Sequence, residues 1–196
     1  AFEITAETVV DPEVFESLKG IANDTNIDKS HDLAGNIEKE YDLTKYIPLI
    51  EPTLMNVIKD PKTAANAYVK EVKIIKHLKL KQQDFWVNHM YKHEFNPAHS
   101  HSGLFSFILF IQIPYLIQDE MNNPKSKNSN SPLSGFLQFL HLEQRSRGGI
   151  GEHNVPVDKT YEGKGFIFPA FLKHVVYPFY TTDLPRITMS GNIYAV

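Results

Sequence analysis

The spacing of apolar positions changes along the chain near residue 78. Before that point, apolar residues recur at helical intervals in three short segments, which predict helices at residues 11–20, 52–59 and 62–73. Residues 22–40 are polar and charged, and they predict a loop or a frayed helix. The first part of the chain is therefore expected to be mostly helical.

The part after residue 78 has the short apolar runs that are typical of β-strands. The run at residues 104–113 is rich in Phe and Ile and is apolar on both faces, which indicates a buried strand. Residues 119–132 predict a mobile loop and residues 147–154 a second long loop, because both are rich in turn-forming residues. The predicted strands lie at residues 85–91, 104–113, 136–142, 165–169, 174–180 and 186–194.

Many short strands joined by turns indicate a β-sandwich or barrel with helices packed outside it. The predicted fold class is therefore mainly β with N-terminal helices. No repeat or linker divides the chain, so we expect a single domain over residues 1–196. Within it, residues 1–78 would form a helical support for a β core at residues 79–196.

Composition and charge argue against several classes of protein. The absence of cysteine excludes disulfides, thiolate catalysis and cysteine-based zinc sites. A net charge of −3 gives no reason to expect a nucleic-acid partner. The longest apolar run is about half of what a bilayer-spanning helix needs, and the first residues lack the features of a signal peptide. We expect a cytoplasmic protein that does not enter a membrane, and the sequence does not indicate its oligomeric state.

Two segments carry histidines that a metal ion could use. In the extended segment 96–103, His99 and His101 alternate with Ser100 and therefore point the same way. Two imidazoles on one face of a strand can bind one metal ion, although such a pair is more often a surface or core feature. His174 follows the apolar strand 165–169 and, taken alone, is more typical of a structural histidine.

A third segment places an arginine beside two hydroxyl groups. Alternation along the strand puts Arg186, Thr188 and Ser190 on one face. If the sheet closes around a core, the guanidinium needs a carboxylate partner, which its planar fork binds through two hydrogen bonds. The alternative is an outward-facing arginine on an edge strand.

Together these segments resemble the 2-oxoglutarate/iron(II) dioxygenases. They are most similar to the small oxygenases of bacteriophage and marine microbial genomes, which are relatives of the prolyl 4-hydroxylases. The resemblance covers residues 80–196. Its matching pieces are Trp86-Val87-Asn88, His99-Ser100-His101, residues 106–110, residues 165–178 and residues 186–192.

The resemblance implies a double-stranded β-helix (a jelly roll or cupin-like barrel) that uses Fe(II), 2-oxoglutarate and O₂. His99 and His174 match the two histidine ligands, and His101 stands where the family usually has a carboxylate ligand. Arg186 matches the residue that binds the distal carboxylate of 2-oxoglutarate, and Thr188 matches its hydroxyl partner. The three histidines and Arg186 are thus the candidate catalytic residues.

The resemblance also leaves two positions open. Many relatives have a tyrosine where this chain has Phe110, so the hydroxyl that binds the cosubstrate would have to come from elsewhere. Tyr91 is one candidate for this hydroxyl; the alternative is that Tyr91 is an ordinary core aromatic residue.

The function that the resemblance implies is hydroxylation of a peptidyl or small-molecule substrate, with peptidyl proline as one candidate, and release of succinate and CO₂. A phage protein of this kind would act in the host cytoplasm.

Two other functions share the fold. The first is a cupin-like metal-binding domain, in which a glutamate ligand follows the histidine pair by about four residues. Phe105 occupies that position here, which argues against a typical cupin site. The second is a non-catalytic structural or virion-associated protein, for which an inward-facing Arg186 would have no evident use.

Overall fold

The computed structural model describes residues 4–72, 79–143 and 148–196. Strands dominate its second half, as predicted. The helices are α1 (Pro12–Ile21), α2 (Ile47–Lys59), α3 (Ala64–Glu71) and α4 (Ile117–Asn122), with 3-10 turns at Ser30–Asp32, Thr44–Tyr46 and Lys159–Tyr161. The strands are β1 (Ala6–Val9), β2 (Lys39–Asp42), β3 (Leu80–Met90), β4 (Asn96–His99), β5 (Phe105–Gln112), β6 (Leu137–Leu142), β7 (Ile150–Val155), β8 (Lys164–Pro169), β9 (Lys173–Val176) and β10 (Arg186–Ala195).

The strands form two antiparallel sheets. The larger sheet has the order β1-β8-β5-β10-β3-β2, and the smaller sheet has the order β4-β9-β6-β7. Apolar side chains from both sheets meet between them, among them Phe110 and Phe166 from the larger sheet and Phe139 from the smaller one. This arrangement confirms the predicted double-stranded β-helix.

The central strand β5 is buried on both faces because each face meets a different layer. Phe105 and Leu109 pack with the helical layer, including Leu54 of α2. Ile108 and Phe110 point the other way and belong to the cluster between the two sheets. Burial of each such side chain contributes about 1.5–3 kcal/mol relative to exposure, which is why β5 carries almost no polar residue.

The N-terminal part differs from its prediction because it also supplies strands. β1 pairs with β8 and β2 pairs with β3, so both edges of the larger sheet come from residues that precede residue 78. Helix α2 begins at Ile47, five residues before the predicted start, with Pro48 in its first turn and Pro52 inside it. The predicted boundary near residue 78 lies outside the described residues.

Among the described residues, no helix combines the length and the apolar character that crossing a bilayer requires. The longest described helix is α2, with 13 residues.

The two predicted long loops are more regular than expected. Residues 119–132 include part of α4, and the fully buried Glu120 accepts hydrogen bonds from the backbone N–H groups of Tyr180 and Thr181, both at 2.9 Å. These bonds tie the predicted mobile loop to a distant segment. Most of residues 147–154 belongs to β7, which pairs with β6; residue 147 itself lies outside the described residues.

Candidate active site

A cavity lies inside the barrel, between the two sheets. Strands β2, β3 and β10 line one wall, and β4 and β9 line the other. Leu33, Ala34 and Ile37, from the segment that precedes β2, also line it. The segments that carry the histidine pair, His174 and Arg186 therefore all line the same cavity.

Three histidines converge at one side of this cavity. His99 of β4 pairs in register with His174 of β9, and His101 follows two residues after His99. One ligand atom from each residue lies within 4.8 Å of the other two, and the ring centroids are 4.2–5.2 Å apart. We call His99, His101 and His174 the histidine triad.

Backbone carbonyls fix the proton positions on two of these rings. His99 Nδ1 lies 2.7 Å from the Pro97 carbonyl oxygen, and His174 Nδ1 lies 3.1 Å from the Leu172 carbonyl oxygen. A carbonyl can only accept, so each Nδ1 carries the proton and donates it. Nε2 of each ring therefore keeps its lone pair. A ring protonated at Nδ1 is the tautomer that coordinates a metal ion through Nε2.

The pKa values of all three triad histidines are lowered. Burial, with the neighbouring His99 acting in the same direction, lowers the pKa of His101 to about 4. Burial also lowers the pKa of His99, and it lowers that of His174 well below its usual value, with the other two imidazoles acting in the same direction. Three neutral imidazoles close together fit a divalent cation, because metal binding requires the uncharged form.

Arg186 also lines this cavity. Its side chain is 1% exposed, its Nη1 donates to the Tyr115 hydroxyl at 3.0 Å and to the Gly135 carbonyl at 3.1 Å, and the Phe110 ring lies beneath it. Nη2 is buried and has no hydrogen-bond partner among the described residues. No carboxylate of the described residues forms an ion pair with this guanidinium. Such a group is costly to bury alone, so its surroundings fit a carboxylate ligand.

A row of polar side chains crosses the wall beside Arg186. In the register of the larger sheet, Thr188 of β10 faces Asn88 of β3, which faces Glu40 of β2. All three residues are buried and line the cavity. We call Thr188, Asn88 and Glu40 the polar row. The sequence singled out only Thr188 for a role at the site, because Glu40 stands in a charged segment that predicted a loop.

The tyrosine nearest to the guanidinium is Tyr115, which the sequence analysis missed. Its fully buried hydroxyl accepts from Arg186 and donates to the Gly135 carbonyl oxygen at 3.0 Å. Burial raises the pKa of this hydroxyl, so it stays protonated and can make both bonds. Tyr91 instead follows β3, with its ring beneath Lys39 Nζ, away from the residues that line the cavity.

The position that a cupin would use for its carboxylate ligand lies outside the cavity. Phe105 is fully buried and packs into the helical layer, where its ring makes an edge contact with Tyr68. The described residues offer no carboxylate oxygen within the triad's 4.8 Å group. The geometry therefore gives no support to a typical cupin site.

Comparison with protein families and solved structures gives consistent matches. A family model described as "Putative 2OG-Fe(II) oxygenase" matches residues 84–192, a stretch that contains the histidine triad and Arg186. A search of curated protein sequences gives no match.

Several solved structures share the fold at low sequence identity. A prolyl-4-hydroxylase of Pseudomonas putida has a TM-score of 0.56 at 12% identity, over 98% of this chain and 93% of that chain. The viral collagen prolyl hydroxylase of Paramecium Bursaria Chlorella virus-1, as its 2OG complex, has a TM-score of 0.55 at 10% identity, over 100% and 98%. HygX from Streptomyces hygroscopicus, with nickel, 2-oxoglutarate and hygromycin B bound, has a TM-score of 0.53 at 11% identity, over 98% and 84%.

Proposed function

The chain belongs to the 2OG-Fe(II) oxygenase family, and from that premise we propose that its barrel cavity hydroxylates a peptidyl or small-molecule substrate. The observation that carries the proposal is the unpaired, buried Arg186 Nη2 in the same cavity as the histidine triad. A dicarboxylate that reached from a metal ion to this guanidinium would satisfy both ends of the site. The residue roles proposed below rest on this pairing.

The histidine triad would hold the iron. His99 and His174 present Nε2, and His101 takes the position where a carboxylate is usual in the facial triad of such sites. An all-histidine set leaves the metal with one negative charge fewer, so we expect weaker neutralisation of the ferrous ion than in a two-histidine, one-carboxylate site. The neutral state of the imidazoles supports ligation, because no proton has to be displaced.

Arg186 would bind the distal carboxylate of 2-oxoglutarate. Nη1 is already engaged by Tyr115 and Gly135, so the guanidinium is held in place before the ligand arrives. The free Nη2 and the Thr188 hydroxyl would then donate to the carboxylate. A donor that is already oriented loses little entropy on binding, which favours tight and specific recognition.

The protein's part in the reaction is to orient and to exclude water. When bound, Fe(II) with 2-oxoglutarate and O₂ supplies an oxidant for a substrate C–H bond, leaving a hydroxylated product, succinate and CO₂. Ile108 and Phe168 contribute apolar walls to the cavity, and Leu33 and Ile37 from the segment before β2 also line it. Apolar walls around the metal site would limit side reactions with water.

The cosubstrate should stabilise the folded protein in a metal-dependent way. A ligand present at 100 times its Kd adds about 2.7 kcal/mol to the free energy of unfolding, which for a chain of this size raises Tm by roughly 5–11 °C. We expect this shift with Mn(II) and 2-oxoglutarate together, measured by thermal denaturation without O₂. Pyruvate is the matched control, since it has the 2-oxo acid group and lacks a carboxylate for Arg186. Equal shifts from both acids would contradict the proposed role of Arg186.

Metal binding should resist moderate acidification. Three histidines with ordinary pKa values near 6.5 would lose about a thousandfold in metal affinity between about pH 7.5 and pH 5.5, roughly tenfold for each imidazole. Burial lowers all three pKa values here, that of His101 to about 4, so the imidazoles stay neutral over most of this range. We expect less than about a tenfold loss in Mn(II) affinity by calorimetric titration. A loss near a thousandfold would mean that the ligands are exposed histidines elsewhere.

A further inference from the structure

The far end of the polar row carries a carboxyl group that the proposed chemistry does not use. Glu40 is 1% exposed and lines the cavity, and its Oε2 has no hydrogen-bond partner among the described residues. The Oδ1 of the adjacent Asn88 is also buried and equally without a partner there. A buried polar atom is expensive to leave unpaired, so each such atom calls for an explanation such as a bound water, an ion or a functional role.

The cosubstrate cannot satisfy these two atoms. Asn88 Oδ1 and the ionised carboxylate of Glu40 are hydrogen-bond acceptors, and 2-oxoglutarate at neutral pH is a dianion that carries acceptors only. Its proposed partner, Arg186 Nη2, is the one unpaired buried donor side-chain atom of the described residues. The cavity therefore has one unpaired donor, which is assigned to the cosubstrate, and two unpaired acceptors that require a different ligand.

Glu40 lies across the sheet from the proposed position of the distal carboxylate. Neighbouring strands lie about 4.7–4.9 Å apart, so Glu40 on β2 is roughly 10 Å across the sheet from Thr188 on β10. The triad's close group of ligand atoms includes no oxygen of Glu40. A second molecule could thus contact Glu40 while the cosubstrate occupies the space between Arg186 and the triad.

The segment before β2 packs closely against Glu40. A methyl group at Gly35 would lie 2.9 Å from Glu40 Oε1 and 2.6 Å from Asn96 Oδ1. Leu33, Ala34 and Ile37 of the same segment line the cavity around this point. The Glu40 carboxyl group is therefore packed against residues that precede it closely in the sequence.

We propose that Glu40, with Asn88 Oδ1 beside it, binds a protonated amine or guanidinium group of the primary substrate. The proposal rests on the proposed function, since it takes the cavity to be the active site. An ammonium group offers three N–H donors and a guanidinium five, enough for both acceptors. No cation of the described residues forms an ion pair with Glu40.

The electrostatics of Glu40 agree with a cationic ligand. Burial raises the pKa of its carboxyl to about 7, and the carboxylates of Glu94 and Asp28 raise it in the same direction. A cation arriving beside this group would restore its ionised form and form a charge-assisted hydrogen bond. A prolyl ring within a peptide has no N–H, so it would leave both acceptors unpaired.

The test uses full-length protein loaded anaerobically with Mn(II) and 2-oxoglutarate. Butylguanidinium is the probe, and butylurea is its neutral near-isostere. Paramagnetic broadening of the probe's proton NMR signals reports both binding and closeness to the metal. We expect saturable broadening by butylguanidinium, with a Kd at least tenfold lower than that of butylurea.

Two matched variants locate the effect. Glu40→Gln keeps the shape of the side chain and removes its charge, and it should raise the Kd for butylguanidinium at least tenfold while leaving the Kd for 2-oxoglutarate within about twofold. Glu38→Gln makes the same charge change on an exposed neighbour and should behave like the wild type. An equal loss in both variants would mean that only the overall charge matters.

The outcomes separate this inference from the proposed function. If Mn(II) and 2-oxoglutarate fail to bind the wild type, the proposed function is wrong. If they bind normally but butylguanidinium and butylurea bind alike, a buried water or a structural role accounts for Glu40 and the inference is overturned. The wild-type comparison of the two probes decides the point even if Glu40→Gln does not fold.

Discussion

Replacing Arg186 with leucine is expected to weaken 2-oxoglutarate binding by more than a hundredfold while leaving Mn(II) binding nearly unchanged. The substitution would remove the charge-assisted hydrogen bonds that the two N–H groups of Nη2 are proposed to donate to the distal carboxylate, each contributing about 1.5–3 kcal/mol, and about 1.4 kcal/mol corresponds to a tenfold change in Kd. The metal would be unaffected because Arg186 is not among the triad's ligand atoms. Calorimetric titration of 2-oxoglutarate into anaerobic, Mn(II)-loaded protein measures both effects.

Two further substitutions test the reason for this loss. Arg186→Lys should recover only part of the affinity, because an ammonium group cannot reproduce the planar fork. Tyr115→Phe removes the acceptor that orients Nη1 while leaving the guanidinium in place, so we expect a smaller loss than in Arg186→Leu. Equal Kd values for wild type and Arg186→Leu would leave the buried guanidinium with a structural role alone.

Replacing His174 with alanine is expected to abolish stable metal binding. Loss of residues that merely orient a ligand typically weakens metal affinity by 10–100-fold, so removing a ligand should cost more than about a hundredfold. Metal content after Fe(II) or Mn(II) reconstitution and desalting measures this directly. His31→Ala is a suitable control, since His31 is exposed in the turn at Ser30–Asp32. Full metal occupancy in the His174→Ala protein would rule out the triad.

His101 allows a more selective version of the same test. His101→Ala should lose metal as His174→Ala does. His101→Asp restores the usual set of two histidines and one carboxylate, and we expect it to retain metal. If the alanine and aspartate variants both retain metal, His101 is not a ligand and the metal is held by the other two histidines with groups still to be found.

The sequence predicted the strands that carry the site because their patterns are local. Alternation along residues 186–194 placed Arg186 and Thr188 on one face, and both prove to be buried in the barrel. The two-residue spacing likewise brought His99 and His101 together. Patterns with a period of two survive folding because each strand must turn one face toward a core.

The features that the sequence did not predict depend on distant partners. Glu40 lies among charged residues, yet it is buried in the sheet, where it pairs in register with Asn88. Tyr115 comes 71 residues before the arginine that it contacts. Glu120 lies in a segment that predicted a mobile loop, yet it is fully buried by bonds to residues about 60 positions away. The stretch of sequence around each of these residues contains none of its partners, so a local pattern cannot predict the contact.

The hydrogen bonds behind Arg186 also bear on which 2-oxo diacid the protein accepts. Tyr115 and Gly135, which are not among the residues that line the cavity, hold Nη1 of the guanidinium and leave Nη2 free. If Arg186 binds the distal carboxylate as proposed, we expect diacids one methylene shorter or longer to bind less tightly, because Nη1 is held by two hydrogen bonds. Gly135 has a φ of +80°, and a side chain there would meet the Tyr115 ring at 3.0 Å. We therefore expect substitutions at Tyr115 or Gly135 to shift the preference between 2-oxoglutarate and 2-oxoadipate, as a change in the ratio of their Kd values.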